Sequence, residues 1–184
     1  MFDFLPVVLA LLTTFPVGPA SAAANRSRPS IARTPTELLT APDRPVRATE
    51  RSVQHLLARG VARSSTFTNL MRALDHTDVI VYVEINRGLP QSIAGRLLFA
   101  TAARNGPRYL RVQISQSGTL NMQVAAIAHE LQHALEVAHA PEVRDETGLE
   151  RFYARIGTQG ALERSYDTIA AQRAGRKVLL EIQG

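Results

Sequence analysis

The sequence predicts an α+β fold: two helices, a small three-stranded sheet, a long apolar helix, then a C-terminal helix. Three observations predict it. At "DVIVYVEI", residues 78–85, helical spacing gives way to a run of β-branched and aromatic residues. Asn105-Gly106 lies between two further β-rich runs, where a tight hairpin needs residues that accept positive φ. "LNMQVAAIAHELQHALEVAH", residues 120–139, is apolar almost throughout; between Gln123 and Val137 its only charges are Glu130 and Glu136. Such a segment reads as a buried helix.

The elements follow in order. "FLPVVLALLTTFPV", Phe4 to Val17, is uncharged and apolar, yet shorter than the ~20 residues that span a bilayer. Small residues at Ala20 and Ala22 follow it, so residues 1–22 read as a signal peptide, although "MFD" carries Asp3 and no basic residue. The expected location is therefore periplasmic or extracellular, with no membrane attachment after cleavage. Residues 23–48 are rich in proline and lack periodicity, and read as a disordered linker. The ordered domain is expected over 49–184. Thr49 is the expected cap of a first helix carrying Val53, Leu56 and Leu57 and ended by Gly60; Ser65 is the expected cap of a second, with Phe67, Leu70, Met71 and Leu74 on one face. "DVIVYVEI", "GRLLFATAA" and "RYLRVQIS" are the three strands. Thr119 or Ser117 caps the long helix, a short helix spans Thr147 to Ile156, and a last helix spans about 161–182.

Composition narrows the chemistry. The chain has 184 residues and no cysteine, so disulfides and thiolate metal sites are excluded. Lys and Arg number 21 against 16 acids, and Lys177 is the one lysine. The arginines are scattered and aromatics make up only 5% of the chain, so no stacking platform accompanies the charge and no nucleic-acid partner is expected. A monomer is expected.

His129-Glu130-Leu131-Gln132-His133 matches H-E-x-x-H. Residues i and i+4 of a helix lie one turn apart on one face, with Cβ atoms ~6 Å apart, so two imidazoles there can point at one Zn2+. Glu130, beside the first imidazole, can reach a metal-bound water as general base without ligating the metal. Burying such groups in an apolar helix without partners would cost several kcal/mol, and a metal ion and water are natural partners. His55 and His76, near helix ends, read as surface groups.

With this motif and this order of elements the chain resembles the zincins, the HExxH zinc metallopeptidases. More narrowly, "STFTNLMRALDHTDVIVYVEI", "AHELQHALEVA" and "SYDTIAAQRAG" resemble a group of small exported bacterial proteins with an HELxHxxE motif. The resemblance covers residues 50–184. It implies a zincin-like fold and a metal motif, and no particular substrate.

Four residues compete for third ligand. His139 gives the metzincin spacing, but Glu136 stands where metzincins place glycine, and a helix running through Glu136 leaves His139 about 80° off the face of His129 and ~9 Å along the axis from His133. No methionine follows the motif to form the metzincin turn. Glu136 faces the right way but lies too far along, and is better placed to accept from a ligand imidazole. Asp167 and Glu163 lie in the last helix, and a carboxylate on a downstream helix is what resemblance to the gluzincins implies. Asp167 ranks first, with Ala170, Ala171 and Ala174 beside it to allow close helix packing; the small exported proteins carry Glu-Thr where this chain has Asp167-Thr168. Tyr153 and Tyr166 are candidate oxyanion donors for which buried packing is the competing role.

The expected function is an exported zinc-dependent hydrolase acting on a peptide or protein substrate. Its competitors are a non-catalytic zinc-binding scaffold or binding module of the cell envelope, and a basic surface protein that binds polyanions.

Overall fold

The computed structural model describes residues 33–159 and 166–184. The signal peptide expected over 1–22 and the candidate ligand Glu163 lie outside the described residues. The described chain is α+β, with a small mixed sheet and helices in the order α1 (Pro35–Thr40), β1 (Val46–Arg47), α2 (Arg51–Arg63), α3 (Ser65–Leu74), β2 (Val79–Asn86), β3 (Gly95–Ala102), β4 (Arg108–Ser115), α4 (Leu120–Ala138), α5 (Glu146–Ile156), β5 (Thr158–Gln159), β6 (Tyr166–Asp167) and α6 (Ile169–Gln183).

The ordered part starts earlier than 49. Thr34 caps α1 in a reciprocal box with Glu37, Pro35 takes the first helical position, and Leu38 and Val46 are buried. Residues 33–48 are therefore structured, not linker. The same segment supplies β1, so the main sheet has four strands, ordered β1-β2-β4-β3, where three were expected. A two-residue strand among prolines has no period to read; Val81 N–H donating to Pro45 C=O and the parallel pairs Val46–Val81 and Arg47–Tyr82 create it.

β2 and β4 run parallel, and β4 folds back antiparallel on β3, one of the two edge strands, through a turn in which Asn105 takes φ 57°. Alternate residues face inward: Val79, Val81 and Val83 on β2, Leu110, Val112 and Ile114 on β4, Leu97 on β3. They form one core with α2, α3 and α4.

Gly60 does not end α2, which runs on to Arg63. A Cβ at Gly60 would stand 2.8 Å from the Phe67 ring, so this glycine lets the ring pack against the helix. The caps shift by one residue in each case: Glu50 precedes α2, and Ser64 caps α3, its Oγ accepting from Phe67 N–H. Glu181 of α6 joins that cap, accepting from Ser64 Oγ, Thr66 N–H and Thr66 Oγ1.

α4 crosses the inner face of the sheet and packs on α6. Its C-terminus is held by Arg108, which is fully buried. The guanidinium donates to the carbonyls of Val137, Ala138, Ala140 and Val143 and forms a two-pronged pair with Asp78. Carbonyls that a helix end would orphan are thereby satisfied. α6 begins at Ile169, not near 161, because Tyr166–Asp167 is extended and pairs with Thr158–Gln159. Among the described residues no helix is long and apolar enough to cross a membrane.

Candidate metal centre

α4 is apolar on nearly every side because the sheet, α3 and α6 surround it, and His129, Glu130 and His133 are carried into that interior. Thr119 starts the helix, its Oγ1 accepting from Met122 N–H. Helical spacing sets the two imidazoles in edge-to-face contact with centroids 4.8 Å apart, and brings their Nε2 atoms to 3.2 Å.

Asp167 enters from β6. Its Oδ1 lies 3.3 Å from His129 Nε2 and 3.6 Å from His133 Nε2. His129, His133 and Asp167 are all buried, with one ligand atom of each close to the other two, and this group could hold a metal ion. Of the four candidates for a third position, the structure brings in Asp167. It comes from an extended residue before α6 and not from the helix itself. His139 is the C-cap of α4 and is exposed, since α4 runs unbroken through Glu136.

Glu136 accepts from His133 Nδ1 at 2.9 Å. A carboxylate only accepts, so the bond keeps a proton on Nδ1 and turns Nε2 toward His129 and Asp167. Tyr153 packs edge-to-face on the His133 ring, and its buried hydroxyl donates to the His133 carbonyl at 2.8 Å. It is a packing and hydrogen-bonding residue of the centre, its hydroxyl already engaged. Burial holds its pKa well above the ordinary value.

Charge is arranged around the two histidines. Burial by itself would lower the pKa of His133, but hydrogen bonds to Asp167 and Glu136 outweigh it and lift the pKa to about 9 in the metal-free chain. Burial works against Asp167 as well, yet its bonds to the two imidazoles hold its carboxyl far below the usual range. Glu136 is lowered despite burial, chiefly by His133. Glu130 goes the other way: burial raises its pKa more than the neighbouring histidines lower it.

Glu130 Oε2 is buried with no hydrogen-bond partner among the described residues. The side chain lies against the start of the edge strand β3, where a Cβ on Gly95 would stand 3.0 Å from Glu130 Oε1. On the far side, a Cβ on Gly175 would meet the Ala125 carbonyl at 3.1 Å and His129 Cβ at 3.3 Å. Gly175, Ala171 and Ala174 are the buried small residues that seat α6 on α4, whereas Ala170 is exposed.

Sequence reading missed Thr168 as a member of the site. Its signal was present as a Thr directly before a helical run. His55 and His76 are exposed and stand apart from the group. No family model, curated protein or solved structure matches the chain.

Proposed function

We propose that the chain is a zinc-dependent hydrolase of zincin type, a small metallopeptidase exported from the cell, with Glu130 as its general base. One observation carries the reading: the buried Glu130 Oε2, without a partner, beside three converging ligand atoms. The ligand set fits zinc. Atoms ~2.0–2.1 Å from a tetrahedral zinc lie about 3.3–3.4 Å from one another. The separations of 3.2, 3.3 and 3.6 Å match one face of that tetrahedron. Two imidazoles and one carboxylate are a catalytic donor set, which leaves a fourth position for water or substrate. Zinc bound there would act as a Lewis acid and bring the pKa of its water near ~7.

The protein's own residues supply the proton handling. Glu130 Oε2 takes the proton of the attacking water and returns it to the leaving amine. His133 is held by Glu136, and Asp167 by the Thr168 N–H and by Gln172, which donates to Asp167 Oδ2 at 3.0 Å. The substrate is a peptide lying along the β3 edge, which Glu130 adjoins at Gly95. The chain works as a monomer and takes no nucleic acid.

A second reading is a zinc-binding scaffold without turnover. The burial of the group favours it, with His133 0%, His129 1% and Glu130 2% exposed. Glu130→Gln separates the two: a base is required for turnover and not for a structural site. Zinc retention with loss of hydrolysis supports the enzyme; zinc-loaded wild type inert on a broad panel of unfolded proteins supports the scaffold.

A further inference from the structure

We infer that Thr168 is the positioning residue that locks the centre's parts from α4 and β6 into one geometry, an inference that rests on the metal-centre reading above. Thr168 is buried, and three bonds meet on it. Its Oγ1 donates to Glu136 Oε1 at 2.7 Å, while the other oxygen of Glu136 holds His133 Nδ1 at 2.9 Å. Its backbone N–H donates to Asp167 Oδ1 at 2.7 Å, and that same oxygen faces both imidazoles. Its Oγ1 also accepts from Ala171 N–H at 3.1 Å, which caps α6.

The residue type follows from this double duty. The hydroxyl must donate to a carboxylate and accept from a helix N–H at once, which Ser or Thr can do with a single oxygen. The β-branch narrows χ1 and so fixes where the hydroxyl points. Asp would cap α6 equally well but would set a second carboxylate against Glu136. Thr168 thus ties the seating of α6 to the aim of one imidazole and one carboxylate. Removing a group that orients metal ligands typically lowers metal affinity 10–100-fold.

The test measures zinc affinity by chelator competition, and thermal stability with and without zinc, in wild type, Thr168→Val, Thr168→Asp and Thr168→Ser. A purely structural role would lower both stabilities equally and leave the zinc-induced shift intact. The expected result is that Thr168→Val loses 10–100-fold in zinc affinity and much of that shift, while Thr168→Ser stays within a few fold of wild type. Thr168→Asp keeps the cap but sets a carboxylate against Glu136, with its fold checked by circular dichroism; it is expected to lose at least ten-fold, and more than Thr168→Val. Wild-type affinity in Thr168→Asp or Thr168→Val, or an undiminished zinc-induced shift, overturns the inference while the metal centre stands. Absence of a zinc-induced shift in wild type itself overturns the metal reading, and this inference with it.

Discussion

Asp167 Oδ1 lies 3.3 Å from His129 Nε2, although the two residues come from different elements, one from the β6 extension before α6 and one from the middle of α4. Asp167 is extended and paired with Thr158, Thr168 caps α6 one residue later, and the Thr168 N–H donates to Asp167 Oδ1. Asp167→Ala is therefore expected to lower zinc affinity, and the zinc-loaded melting temperature with it. His139→Ala is expected to change neither, since His139 is exposed at the α4 C-cap. Calorimetry with and without zinc checks both. Loss of zinc in His139→Ala with retention in Asp167→Ala would reverse the assignment.

Glu130→Gln is expected to keep the fold and the zinc while hydrolysis of unfolded protein substrates falls 10²–10⁴-fold, roughly 3–5 kcal/mol of barrier. Turnover equal to wild type would remove Glu130 as the base.

Much of this was legible in the sequence, for physical reasons. His129 and His133 share a face because both periods belong to one helix, and an apolar helix with so few charges had to be interior. The three long strands and the Asn105 turn were local signals. What escaped depended on partners distant in sequence. β1 exists through its pairing with Val81, and the start of α6 depends on the extended pair Tyr166–Asp167 meeting Thr158–Gln159. Gly60 looks like a helix stop until the Phe67 ring is seen to need its space. Arg108 looked like one more scattered arginine, yet it is buried and closes α4.

That closure makes its own prediction. Arg108→Met would remove the guanidinium donor from four carbonyls at the α4 terminus, of which Val137 and Ala140 keep a backbone N–H donor, and would leave Asp78 without its partner; it should cost about 3–5 kcal/mol in chemical denaturation. Asp78→Asn, at a carboxylate side chain that is 42% exposed, should cost less. Equal effects would mean that the ion pair, not the helix terminus, is what Arg108 serves.

Gly175→Val tests the α4–α6 seat. Its Cβ would press on the Ala125 carbonyl and His129 Cβ, so a loss of about 1–3 kcal/mol is expected, together with weaker zinc binding. Gly88→Ala is the control, where a Cβ meets only Asn86 Oδ1 at 3.4 Å. Unchanged zinc affinity in Gly175→Val would show that α6 can shift without disturbing His129.

The metal-free protein should lose stability as pH rises. His133 has a folded-state pKa of about 9, above the ~6.5 of an unfolded chain. Its stabilising contribution is complete below about pH 6.5 and disappears as pH climbs through about 9. Asp167, held low, contributes above its unfolded value near ~3.9 and loses that contribution only in acid. Zinc-loaded protein should behave oppositely between pH 6.5 and 9, because the ligand nitrogen must shed its proton. Melting temperatures across that range, in chelator and in zinc, check the crossing; a chelated protein that gains stability toward pH 9 would contradict it.

Metal content decides whether His129, His133 and Asp167 form a zinc site. Elemental analysis of protein refolded with zinc and then dialysed should find one zinc per chain in wild type and close to none in His133→Ala, each confirmed folded by circular dichroism. Wild type without zinc, or His133→Ala holding as much as wild type, would mean that these residues are not a zinc site.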